Sequence, residues 1–218
     1  MFDKELIKKI CDLTCKFEEI NIPQDKLKYD NEYPFEKYYK LEIIVNAIKK
    51  YLNKDWDDKM LSSWACRYDW VICGGFYEDL KENNKNIIEE FIRSQISWKL
   101  DGLSFFEDWF LEEDAFDLNK TIEEFENLDF VLNTIDNWKA YYAMVGPLAK
   151  ENEDQYVLLI NELDKKYMII YSMFFENGYE DEFIKFISEE ELKQKIKELE
   201  KSEYTLLSYS EQFYYDEA

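Results

Sequence analysis

The chain contains no histidine. That absence excludes Ser-His-Asp and Cys-His catalysis, histidine-ligated zinc and any HExxH site. Glycine is scarce, with 5 residues in 218, and proline has 3. No GxGxxG or GxxxxGK[ST] stretch occurs, so those glycine-rich phosphate cradles are excluded. The adjacent pair Gly74-Gly75 reads as a helix stop, where glycine accepts the left-handed conformation. No apolar run reaches the roughly 18 residues that span a bilayer. The opening MFDKELIKKICDL lacks the apolar run and small-residue cleavage site of a signal peptide. The expected compartment is the cytoplasm, where thiols stay reduced. Cys11, Cys15, Cys66 and Cys73 are accordingly read as small buried hydrophobes rather than a metal site, with Cys11 and Cys15 on one face of a helix.

What the chain has in excess is acid. Its 49 Asp and Glu outnumber 27 Lys and Arg, for a formal net charge of −22. Hydrophobic residues make up 46% and aromatics 18%, too rich for a disordered chain. So strong a field keeps a protein soluble but makes the folded state repel itself. It also opposes nucleic acid and anionic membrane, and it attracts basic proteins.

The first half has helical periodicity. Phe2, Leu6, Ile10, Leu13, Phe17 and Ile20 predict one helix over residues 2–20. Leu41, Ile44, Val45, Ile48 and Leu52 predict the inward face of a second. Asp55 is expected to cap a third, with Met60, Trp64 and Tyr68 buried. A fourth begins at Ile87 and is expected to stop at Asp101-Gly102. Thr121 and Glu124 have capping-box spacing, which predicts a helix start there. The pattern then changes. Residues 155–175 hold two β-branched and aromatic runs around Leu163-Asp164-Lys165-Lys166, which predicts a hairpin. Residues 138–145 and 182–187 predict further strands, and the tail could add an edge strand. Ser188 and Glu191 form a second capping box. The expected fold class is α+β: a mostly helical N-terminal part over 1–120, then a small antiparallel sheet with flanking helices over 121–218, packed as one body.

The sharpest candidate site is EDWFLEEDAFDLNKTIEEFE at 107–126, in which Lys120 is the only base. A solvated helix face explains the acids, and a core-facing stripe explains the rings. A surface for a basic partner explains both, since interfaces favour aromatic anchors within a polar rim. The expected partner-binding residues are Asp108, Trp109, Phe110, Glu112, Glu113, Asp114, Asp117 and Glu123, with Phe125 turned to the core. A second candidate, SSWACRYDW at 62–70, is more simply a packed helix in which Trp64 and Tyr68 share a face. The acidic segments 151–154 and 176–182 are expected as loops flanking the hairpin strands. Neither has the calcium-loop pattern. Any two of 49 carboxylates could be proposed as a glycosidase pair, and nothing singles one out.

The segments KMLSSWACRYDWVICGG and IIEEFIRSQISWKLDG resemble helices of small bacterial immunity proteins, which neutralise polymorphic or contact-dependent toxins. The likeness covers about residues 35–115. It implies a non-enzymatic protein without cofactor, metal or catalytic residues, binding one basic toxin domain as a monomer. Acidic phage inhibitors of defence nucleases, including anti-CRISPR proteins that mimic nucleic acid, are similar in the same respects. They stay open as the alternative.

Overall fold

The computed structural model describes residues 4–21, 40–70, 87–105, 117–145, 152–175, 180–201 and 204–208. The fold is α+β. Among the described residues, helices α1 (Lys4–Cys11), α2 (Phe17–Ile20), α3 (Leu41–Leu52), α4 (Asp58–Tyr68), α5 (Ile87–Ser104) and α6 (Leu118–Asn133) come first. Strands β1 (Lys139–Val145), β2 (Asn152–Asn161), β3 (Lys166–Phe175) and β4 (Glu180–Ile187) follow. Helix α7 (Glu189–Lys201) and strand β5 (Tyr204–Ser208) come last. The chain divides into two compact units. The first holds residues 1–86 and 90–126, the second 87–89 and 127–218.

The helix expected over 2–20 is broken in two. The Leu13 amide donates to the Ile10 carbonyl at 3.3 Å, and the Thr14 amide to the Lys9 carbonyl at 2.9 Å. With Leu13 at φ 54°, this pair of bonds is a Schellman stop. Cys11 therefore ends α1 and Cys15 sits beyond it, so the two do not share one helical face as expected. Helix α3 stops in the same way. Lys54, at φ 65°, donates to the Tyr51 carbonyl, and Asp55 donates to the Lys50 carbonyl. That use of the Asp55 amide places it in the stop of α3. The cap of α4 is Asp57, whose carboxylate accepts from the Met60 amide at 2.9 Å. Leu52, expected inward, is 40% exposed.

Trp64 is the centre of the first unit. It is fully buried, stacks on Tyr68 at 4.9 Å, and donates through its indole nitrogen to the Ile10 carbonyl at 3.0 Å. A buried indole needs such a partner, and Ile10 ties α1 to α4 through it. The Tyr68 hydroxyl donates to the Lys40 carbonyl and accepts from the Lys40 amide. Helix α5 does not stop at Asp101-Gly102. It continues to Ser104. An interior glycine costs about 0.5–1 kcal/mol relative to alanine. Leu100 and Leu103, both fully buried, offset that cost, since burying one such side chain contributes about 1.5–3 kcal/mol.

The sheet of the second unit is antiparallel throughout, in the order β4-β3-β2-β1-β5. The hairpin is where the sequence predicts it. Asn161 pairs with Lys166 across a loop of Glu162 to Lys165. Asn161 is fully buried yet satisfied: its amide donates to the Asp164 carboxylate, and its oxygen accepts from the Asp164 amide, each at 3.0 Å. Residues 152–154 and 180–182, expected in loops, belong to strands β2 and β4. The tail supplies edge strand β5, paired with β1 from Tyr141 opposite Ser208 to Val145 opposite Tyr204. On one face Leu158 and Ile169 meet Leu192 and Leu199 of α7. The capping box that opens α7 is in place. The Ser188 amide donates to Glu191 at 2.7 Å, and the Glu191 amide donates to the Ser188 hydroxyl at 3.2 Å.

Candidate functional site

The acidic stretch is entered by the described residues at Asp117. Asp108, Trp109, Phe110, Glu112, Glu113 and Asp114 lie outside them. Asp117 is exposed and caps α6: one carboxylate oxygen accepts from the Asn119 amide at 3.0 Å and the Lys120 amide at 3.1 Å. Helix α6 therefore begins one turn earlier than the Thr121–Glu124 spacing predicts. Thr121 is already helical and donates through its hydroxyl to the Asp117 carbonyl at 3.1 Å.

Glu124 does something else. It is buried, and it accepts from the ammonium of Lys99 on α5 at 2.8 Å, with both side chains 5% exposed. Lys120 approaches its other oxygen at 3.9 Å. An inward carboxylate cannot serve as a box residue at the helix start. Phe125 is fully buried, as expected, and so are Leu128 and Val131 further along α6. Glu126 lies 3.7 Å from Lys49 in an exposed pair. Of the acids in this described segment, Asp117 and Glu123 are exposed and in no ion pair among the described residues. Both were candidate site residues. Asp117 also has a structural task, as the cap of α6.

The second candidate resolves into packing. Trp64 and Tyr68 are core residues. Arg67 donates through Nε to the Ile20 carbonyl at 2.6 Å, joining α2 to α4. Asp69 accepts from the Ser97 hydroxyl at 2.6 Å, joining the end of α4 to α5. Trp70 is 40% exposed and Trp98, on α5, is 46% exposed. Sequence reasoning gave Trp98 no role of its own. Its signal is positional: Ile92, Gln95, Ile96, Lys99, Leu100 and Leu103 define the buried face of α5, and Trp98 falls off it.

Burial argues against thiol chemistry at the described cysteines. Burial pushes Cys11 up to about 12 and Cys15 up to about 11. Cys66 is also raised, first by burial. A nucleophilic or metal-binding cysteine needs the opposite shift. Among the described residues the carboxylates with displaced values move down: Glu19 through its hydrogen bond from Lys9, Glu189 through Lys193, and Glu191 through the Ser188 amide. A general acid at neutral pH needs an upward shift. Among the described residues no group of three or more Cys, Asp or Glu is placed to hold a metal ion, and no helix is long and apolar enough to cross a membrane. Comparisons with family models, curated proteins and solved structures returned no match.

Proposed function

We propose that the protein is a non-enzymatic inhibitor that binds a basic protein, foremost a nuclease-type toxin, in the manner of the immunity proteins its helices resemble. The observation that carries this reading is the charge of −22, coupled to an acidic run that ends on the exposed carboxylates Asp117 and Glu123 at the start of α6. That field would speed encounter with a basic partner, to about 10⁸ M⁻¹s⁻¹ or above at low salt. The downward carboxylate shifts and raised thiols support binding over catalysis. The proposed setting is a cytoplasmic monomer without cofactor.

A nucleic-acid mimic would need carboxylates in a phosphate-like row. On the described part of α6, Glu124 turns inward to Lys99 and Glu126 stands beside Lys49, which interrupts such a row. The anchored interface is therefore the better reading. Its test is affinity capture of the partner, followed by titration with two variants. One carries amides at Glu112, Glu113, Asp114 and Asp117, the other Trp109→Ala. A loss of tenfold or more, about 1.4 kcal/mol, is expected for at least one. If neither reaches tenfold, this stretch is a solvated face and the assignment fails.

A further inference from the structure

One corner of the second unit gathers aromatic rings around a cation. Phe130 late in α6, Trp138 just before β1 and Phe186 of β4 have ring centroids 5.7–6.4 Å apart. Phe130 stands at 89° to Trp138 and 79° to Phe186, while those two lie at 32° to each other. The rings thus form walls from three separate elements. The Trp138 wall is fixed: its indole donates to the Thr134 hydroxyl at 2.9 Å, and that hydroxyl donates to the Phe130 carbonyl at 2.8 Å. Trp138 is 5% exposed and Phe186 is 36% exposed, so the corner has a buried floor and a wet rim.

The occupant is Lys166, the first residue of β3. Its ammonium lies 3.7 Å from the Phe130 centroid and 5.7 Å from that of Phe186. Lys166 takes part in none of the ion pairs among the described residues, in a chain with 49 acids. Among the described residues Lys50, Lys185 and Lys195 each stand over one ring, Trp56, Phe183 and Tyr156. At this corner one ammonium lies over two, set nearly at right angles. Ring faces attract cations through their quadrupole, and paired rings are the arrangement by which proteins recognise alkylammonium groups.

We propose that the Phe130–Trp138–Phe186 corner is a cation-binding aromatic cage, closed by Lys166, that takes an alkylammonium or guanidinium group in its place. The exchange conserves charge in the cage, because Lys166 is exposed and its ammonium returns to water. A primary ammonium is strongly hydrated and a guanidinium only weakly. Lys166 therefore loses little on leaving, and the incoming cation gives up little hydration on entering. The cage stands on its own geometry. That its natural occupant is an arginine or methylated lysine of the basic partner rests on the inhibitor reading.

Tetramethylammonium chloride tests the cage on the full chain, against sodium chloride at equal ionic strength. Saturation transfer from protein to the probe's methyl protons is read for wild type, Lys166→Gln and Lys166→Gln/Phe186→Leu, with thermal unfolding confirming that each variant is folded. Opening the cage by Lys166→Gln is expected to raise the signal at least threefold. Adding Phe186→Leu, which keeps the sheet edge apolar, is expected to remove that gain. Equal signals in all three proteins overturn the cage and leave the inhibitor reading intact. If the probe binds as expected but the captured partner binds wild type and Phe186→Leu equally, the cage stands and its assignment to that partner falls.

Discussion

Glu124→Gln is the perturbation whose cost follows most directly from the geometry. The carboxylate faces Lys99 at 2.8 Å, and both side chains are 5% exposed. The substitution keeps the shape and removes one charge of a desolvated pair. Losing one partner of such a pair costs about 3–5 kcal/mol, because the other charge is left buried. In a chain of this size each kcal/mol moves the unfolding midpoint by about 2–4 °C, so the expected fall is roughly 6–20 °C. Lys99→Met should cost less, since Lys120, 3.9 Å from Glu124, can take over part of the countercharge. Replacing both by apolar residues, Lys99→Met with Glu124→Leu, should recover most of the loss, because two desolvated charges are then gone together. The assay is thermal unfolding by circular dichroism on Glu124→Gln and on the cycle of wild type, Lys99→Met, Glu124→Leu and the double variant. A fall below about 2 °C for Glu124→Gln, or a double variant as unstable as the sum of the singles, refutes the claim that this pair is desolvated and coupled.

Lys54 holds a left-handed conformation at φ 65°, so Lys54→Gly should stabilise the protein by roughly 1 kcal/mol. A lowered unfolding midpoint would contradict that. Ser188→Ala removes the acceptor of the Glu191 amide and should cost about 1 kcal/mol. Urea titration with unchanged slope checks it. Cys11 and Cys15 are raised to about 12 and 11, which favours the neutral thiol in the folded state. Their stabilising contribution is complete below the unfolded thiol value, near 8.5, and is lost as pH rises from there toward the folded values. Alkylation at pH 8 should accordingly be much slower in the native protein than in urea. Peptide mass spectrometry showing equal rates would refute the burial argument.

The parts of the fold that read directly from the sequence are those that local chemistry specifies. The hairpin strands are β-branched and aromatic runs on either side of the Glu162–Lys165 loop, and Ser188 with Glu191 has both halves of its box. The helix stop at Leu13 was not legible, because the left-handed position carries no glycine there. At Gly102 the reverse holds. A glycine that reads as a stop is carried through by Leu100 and Leu103 on the buried face. Thr121 and Glu124 have box spacing, but burial of Glu124 against Lys99, twenty-five positions away, decides its role. No spacing rule reports such a partner. In the candidate site, exposure of Asp117 and burial of Phe125 were legible from charge and periodicity. The cage was not, since its rings lie at 130, 138 and 186 and meet only when β4 folds into the sheet.

The inhibitor reading is tested most directly by titrating the captured basic protein's nuclease activity with the purified chain at physiological salt. A tight non-enzymatic inhibitor acts by occupancy. Activity should fall linearly and vanish at one equivalent, and the variant with amides at Glu112, Glu113, Asp114 and Asp117 should need at least tenfold more protein at partner concentrations below its dissociation constant. Nuclease activity that persists beyond several equivalents of the wild-type chain, or a captured partner that is not basic, contradicts the account.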